Sequence, residues 1–160
     1  RLSLVGSEMC IRDSFRSEHI SFYTRLLEGN YPDTDRLIPT EFNTEATFNV
    51  ANLRFAMERA RLLSNATQNG TVKLEFKNGV VSSHVHSPEV GRVNEEIDTS
   101  AVSGEDLSIS FNPTYLIEAL KAIDSEQVVI RFISSVRPFT LVPEGNEQGF
   151  IQLITPVRTN

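Results

Sequence analysis

The sequence predicts an α+β domain built from two β-α-β-β-β halves. Three observations carry that prediction. Stretches of alternating apolar and polar residues dominate the chain, as in strands that bury one face. Two stretches have helical spacing instead, and each opens at an asparagine suited to cap a helix, Asn49 and Asn112. Those two residues stand about 63 positions apart, and the same order of elements follows each. Two such halves, packing their sheets over two helices, would share one core.

The 160 residues suit about one domain. With 15 Lys+Arg against 21 Asp+Glu the formal net charge is −6, which excludes a protein whose whole surface grips nucleic acid. A local basic face stays compatible with that balance, because a field depends on where charges sit. No apolar run approaches the roughly 18 residues that a membrane span needs. The single cysteine, Cys10, excludes an internal disulfide framework and a cysteine-based zinc site. The expectation is an acidic, soluble, cytoplasmic protein.

From the N-terminus, residues 1–14 are set aside from fold reasoning. Met9-Cys10-Ile11-Arg12-Asp13-Ser14 resembles the translated end of a sequencing adapter, as found at the ends of environmental reading frames. The alternative is a native strand, since Leu2 and Leu4 alternate with Arg1 and Ser3. On the adapter reading, 15–160 is a fragment whose true beginning is missing. Glu18–Glu28 alternate around Ile20, Phe22, Tyr23, Leu26 and Leu27, which suits a strand. Gly29-Asn30-Tyr31-Pro32-Asp33 and Pro39 then interrupt the chain. Residues 15–40 therefore read as the end of an upstream element plus a linker, and 41–160 as a complete domain.

In the first half, 41–48 is a strand with Phe42, Ala46 and Phe48 on one face, and a helix runs from Val50 to about Leu63. Strands follow at 71–76, 80–86 and 91–98, the first two joined by Asn78-Gly79, a strong hairpin signal. In the second half, 105–111 alternates, Asn112 caps a helix with Pro113 in its first turn, and that helix ends near Ala122. Strands at 127–133, 137–142 and 149–155 complete it.

The helix faces carry further information. Val50, Leu53, Ala56, Met57 and Ala60 form one apolar stripe for the core, with Arg54, Glu58 and Arg61 on an adjoining face. Phe55 and Leu62 fall outside that stripe. Such a spare apolar strip suits a subunit contact, and equally a cover by a loop of the same domain. In the second helix Leu116, Ile117, Leu120 and Ile123 face the core, while Glu118 and Lys121 face out.

No catalytic constellation, cofactor motif or metal site emerges. His84 and His86 share a sheet face without a third ligand at a useful spacing, so they read as solvated. Glu95 and Glu96 point to opposite faces of a strand, a poor arrangement for an acid/base pair. A hydrolase is accordingly a distant alternative.

Several segments, taken in order, resemble the bacterial sliding-clamp family, the β subunits of DNA polymerase III. They are Leu26-Leu27-Glu28-Gly29-Asn30-Tyr31-Pro32-Asp33-Thr34 with Arg36-Leu37-Ile38-Pro39, Glu58-Arg59-Ala60 with Leu62-Leu63-Ser64, and Ser87-Pro88-Glu89. Farther on come Ile109-Ser110-Phe111-Asn112-Pro113 with Tyr115-Leu116, Arg137-Pro138-Phe139, and Pro156-Val157-Arg158-Thr159. The resemblance covers 18–160. It implies the DNA-clamp fold, with helices on the inner face of a ring and sheets outside, and it makes 41–160 the third domain of three.

The resemblance further implies a non-enzymatic processivity factor that tethers the replicative polymerase to DNA. Its polymerase activity would belong to the assembled holoenzyme. A hydrophobic pocket would capture a short Gln-Leu-Phe-type peptide of DNA polymerase III subunits, the clamp loader and repair proteins. Carried over by position, that peptide-binding pocket comprises Pro32, Arg36, Leu37, Asn112, Tyr115, Val136, Pro138, Leu153, Ile154, Pro156, Val157 and Arg158. Asn112 as a helix cap, and Leu153 and Ile154 as core strand, are the structural alternatives. Phe55, Leu62 and Leu63 fall at the family's interface in a homodimer ring, with ordinary helix packing the alternative above all for Leu63. Arg54, Arg59, Arg61 and Lys121 are the cations that would face double-stranded DNA, read without sequence preference. The competing reading is a stand-alone peptide-binding module of the same fold that never encircles DNA.

Overall fold

A computed structural model describes residues 3–5, 12–16, 18–25, 37–64, 70–87, 91–145 and 149–158. They fall in two units, Arg1–Thr34 and Asp35–Asn160. The second unit starts within the segment expected as linker.

In the first unit, β1 (Ser3–Val5), β2 (Arg12–Arg16) and β3 (Ser21–Arg25) form an antiparallel meander, with Phe15 pairing both Leu4 and Phe22. Of the segment set aside above, Ser3–Val5 and residues 12–14 thus take extended structure. The physical reason is that β3 needs a hydrogen-bonding neighbour along its edge, and Arg12–Arg16 supplies it. Among the described residues the strand expected over 18–28 is confined to β3.

The second unit opens with β4 (Thr44–Asn49), which buries Thr44, Ala46 and Phe48 at every second position. Phe42 lies before that strand and is only half-buried, its ring 5.6 Å from the guanidinium of Arg131. Asn49 caps α1 (Val50–Ser64) as expected, its Oδ1 accepting the N–H of Asn52 at 3.1 Å. The stripe Val50, Leu53, Ala56, Met57 and Ala60 is buried. Then β5 (Val72–Lys77), β6 (Val80–Ser87) and β7 (Gly91–Ile97) form a meander. Asn78 and Gly79 join β5 to β6 with φ of 52° and 78°, the left-handed pair that a tight hairpin turn requires. Asp106 Oδ1 accepts the N–H of Asn78 at 3.0 Å, tying the turn to the second half.

The strand expected over 105–111 starts two residues later, and a strand that was not expected precedes it. β8 (Ala101–Gly104) is a separate strand antiparallel to β4, and β9 (Leu107–Phe111) begins only after a corner at 105–106. At that corner the Glu105 N–H donates to Asn43 O at 3.1 Å, and the Thr44 hydroxyl to Glu105 O at 2.8 Å. Gly104 has φ of 98°, and a Cβ there would meet Asn43 O at 1.9 Å. The corner is therefore open only to glycine.

α2 (Pro113–Lys121) is capped by Asn112, whose Oδ1 accepts the N–H of Thr114 at 2.9 Å. Leu116, Ile117, Leu120 and Ile123 are buried as expected. The closing strands β10 (Gln127–Phe132), β11 (Phe139–Pro143) and β12 (Gln152–Ile154) are each shorter than the alternation suggests. Pro138 has no N–H to donate, so β11 starts after it.

The two sheets run β12-β11-β10-β4-β8 and β7-β6-β5-β9. The halves thus exchange their first strands: β4 pairs with β10, and β9 with β5. Both helices pack together, and α1 also lies against β4 to β7. Four phenylalanines link the sheets through the core. Phe76 of β5 meets Phe132 of β10 at 4.9 Å, Phe132 meets Phe139 of β11 at 5.1 Å, and Phe139 meets Phe111 of β9 at 5.1 Å. Among the described residues no helix is long and apolar enough to cross a membrane.

Candidate functional site

The second unit carries a cleft of about 340 Å³ between α2 and β12. On the helix side stand Tyr115, Glu118, Ala119 and Ala122, which follow the i, i+3, i+4, i+7 spacing of one helical face. On the strand side stand Gln152, Leu153, Ile154 and Thr155. Tyr115 is exposed at 58%, a large aromatic surface left in water beside an apolar wall. Leu153 is half-buried, whereas Ile154 is a core residue that shows the cleft only a little surface.

The register brings other expected pocket residues to the same end of the domain. Phe139 pairs with Ile154, so Pro138, just before it, lies beside the residues that follow β12. The Val157 N–H donates to Ser110 O at 2.7 Å, which straps the tail of Pro156, Val157 and Arg158 along β9, two residues before the Asn112 cap. Asn112 spends its Oδ1 on that cap. Val136 and Leu37 are exposed apolar residues outside the cleft lining. Pro32 and Arg36 lie outside the described residues. Tyr115, Leu153 and Ile154 are therefore the expected pocket residues that share one cavity. Glu118, Ala119, Ala122, Gln152 and Thr155 were missed by the sequence reading, although the helical spacing of the first three with Tyr115 was there to be seen.

The spare strip on α1 stands out: Phe55 is 48% and Leu62 72% exposed, and among the described residues no loop covers them. Leu63 packs partly against the core, as the alternative for it held. Phe55 also borders a cleft of about 260 Å³ formed with Asn52, Ala56, Arg59 and the Glu95–Asp98 stretch of β7 and its end.

The expected DNA-facing cations divide between two places. Arg54 and Lys121 line a cleft of about 210 Å³ where the start of α1 meets the end of α2. Arg54 is flanked there by the Glu58 carboxylate at 3.8 Å and by the Phe55 ring at 5.3 Å. Arg61 is half-buried on the same helix. Arg59 sits instead toward β7, where its Nε donates to Glu95 Oε2 at 3.2 Å and its Nη2 to Glu95 Oε1. The hydrogen-bonded Glu95 carboxylate raises the pKa of the Arg59 guanidinium.

His84 departs from the solvated reading. Its Nδ1 shares a hydrogen bond with Asn94 Oδ1 at 2.8 Å and its Nε2 one with the Ser82 hydroxyl at 2.9 Å, with Glu75 Oε2 at 3.3 Å from Nε2. The ring thereby bridges β5, β6 and β7; the reason is that Asn94 stands directly opposite His84 in the register. His86 is exposed. Among the described residues no three His, Cys, Asp or Glu side chains converge as metal ligands.

The family model of the DNA polymerase III beta subunit, C-terminal domain, matches residues 35–158. The chain belongs to that family. A beta sliding clamp of Streptococcus pneumoniae TIGR4 is 79% identical over 146 residues, 91% of this chain and 39% of the relative. One from Lactococcus lactis is 56% identical over 157 residues, 97% of this chain and 40% of the relative. The crystal structure of a DNA polymerase III beta chain from S. pneumoniae superposes with a TM-score of 0.86 at 72% identity, covering 99% of this chain and 41% of that one. The chain thus spans about two-fifths of the length of the sliding clamps it matches. Its second unit is the clamp family's C-terminal domain, and the two antiparallel sheets and two helices are the family's α+β architecture.

Proposed function

We propose that this chain serves as part of a DNA sliding clamp, a processivity factor that holds the replicative polymerase on DNA. It has no catalytic chemistry of its own and docks its partners through a peptide-binding pocket. The observation that carries this reading is the cleft in which Tyr115 meets Leu153 and Ile154, beside the strapped tail of Pro156, Val157 and Arg158. An exposed aromatic ring beside an apolar wall suits the capture of leucine and phenylalanine side chains. Asn112, Val136 and Pro138 extend that surface, and Pro32, Arg36 and Leu37 contribute from the preceding segment. The partners are DNA polymerase III subunits, the clamp loader and repair proteins that carry a Gln-Leu-Phe-type peptide.

In the full-length protein, Phe55, Leu62 and Leu63 contribute to the contact that closes a homodimer ring. Their exposure on α1 supports this for the first two. Double-stranded DNA passes through the ring, attracted without sequence preference by Arg54, Lys121 and Arg61. Arg59 belongs to that set by sequence position, but its ion pair with Glu95 engages it on the other side of α1. The cytoplasm is the compartment that this function requires.

The test is a fluorescence-anisotropy titration of the chain with a labelled Gln-Leu-Phe-type peptide. Saturable binding is expected, lost for a scrambled peptide and weakened at least about 30-fold by Tyr115→Ala, the effect of an interface hot spot of ~2 kcal/mol. A folded chain with no saturable binding would refute the docking reading.

A further inference from the structure

We propose that Glu118 makes the α2/β12 cleft selective for a partner segment that places a basic residue beside its apolar anchors. The inference rests on the peptide-docking reading above and names the partner chemistry of that same cleft. Its walls are Ala119, Ala122, Leu153 and Ile154, its rim carries the Tyr115 ring, and Gln152 and Thr155 are neutral. Glu118 is the one charged side chain among these lining residues. It lies one helical turn from Tyr115 and one from Ala122, on the same face. Among the described residues it forms no ion pair; Lys121, the cation one helical turn on, lines the separate cleft beside Arg54.

A segment that fills this cleft strips water from the Glu118 carboxylate. A cation in the segment offsets that loss, whereas a carboxylate adds repulsion to it. The formal net charge of −6 on the chain adds a longer-range attraction of the same sign. Because Glu118 stays exposed on the rim, the preference has the size of a surface ion pair. It amounts to about 2- to 5-fold in Kd for a basic over a neutral flank.

Three labelled Gln-Leu-Phe peptides, flanked on both sides by Lys, Gln or Glu, would be titrated against the full chain by anisotropy. The expected order of affinity is Lys, then Gln, then Glu, and the spread narrows as added salt screens the interaction. Glu118→Gln narrows the Lys-to-Glu ratio of Kd values, leaving the part that the net charge supplies and that salt removes, and Glu118→Lys narrows it further. A ratio unchanged in Glu118→Gln overturns the assignment to Glu118. Equal affinities, or a preference for Glu flanks, overturn the selectivity and leave the docking reading standing. If none of the three binds saturably to the folded chain, both fall together.

Discussion

Replacing Gly104 by alanine tests the corner at which β8 leaves β4. The glycine sits at φ of 98°, and an added Cβ would lie 1.9 Å from Asn43 O and 2.8 Å from Thr44 Cα. Both contacts are with backbone, so no rotamer change relieves them. Backbone strain at such a φ costs about 1–3 kcal/mol for a residue with a side chain. Moving Asn43 away would also disturb its two backbone hydrogen bonds, the N–H to Phe132 O at 2.8 Å and the carbonyl to Glu105 N at 3.1 Å. Each contributes about 0.5–1.5 kcal/mol net, which brings the expected loss to about 2–6 kcal/mol. With a urea slope of about 1–3 kcal/mol per molar, the unfolding midpoint should fall by on the order of 1–3 M. Gly79→Ala is the matched control: its φ of 78° is also left-handed, but nothing lies within 4 Å of the new Cβ. It should lose only the strain, about 1–2 kcal/mol. If both variants lose the same, the close approach of 104 to 43 does not constrain the fold and the reasoning is refuted.

Two further perturbations examine the core and the α1–β7 ion pair. Phe132, fully buried between Phe76 and Phe139, should cost about 3–5 kcal/mol when truncated to alanine, and a urea-melt loss below about 1 kcal/mol would contradict its bridging position. Glu95→Gln should shift stability by less than about 1 kcal/mol, and less still in high salt, because Arg59 is exposed. The sign with pH follows from the raised guanidinium pKa: that contribution is in place below the ordinary range of arginine and is lost only as pH rises beyond it. The difference between Glu95→Gln and the parent chain should therefore stay level from about pH 7 to 10, and urea midpoints converging across that window would contradict it.

Short-range physics explains what the sequence could say. The Asn49 and Asn112 caps, the Asn78-Gly79 turn and the buried stripe of α1 each depend on residues within a turn or two of one another, and the structure has all of them. β8 was hidden because four residues, Ala-Val-Ser-Gly, hold too little alternation to register as a strand. Its signal is a glycine whose need for positive φ becomes visible only once Asn43 is known to lie against it. The strand exchange was hidden for a different reason: pairing β4 with β10 joins residues as far apart as Glu45 and Arg131, and no local pattern encodes a partner. At the site, Tyr115 and Leu153 came from a resemblance, not from their own spacing. Glu118 was read correctly as facing out of the core, but the strand that it faces beside Tyr115 could not be read from the helix alone. His84 likewise acquired partners from β5 and β7 that only the register supplies.

The exchange of first strands bears on how this domain can be divided. A chain cut between β7 and β9 would leave one piece holding β4 without β10 and the other holding β9 without β5. Each piece would own a meander with a bare edge and a first strand parted from its neighbour in the other piece. The phenylalanine row through the core would be parted as well, since Phe76 and Phe132 come from opposite sides of the cut. Residues 86 apart, such as Glu45 and Arg131, must therefore find each other before the five-stranded sheet is complete. Such non-local pairing makes for slow, all-or-none assembly. A motif that recurs within a chain is usually pictured as two modules side by side; here the two copies are one another's missing part, and the smallest piece able to stand alone contains both.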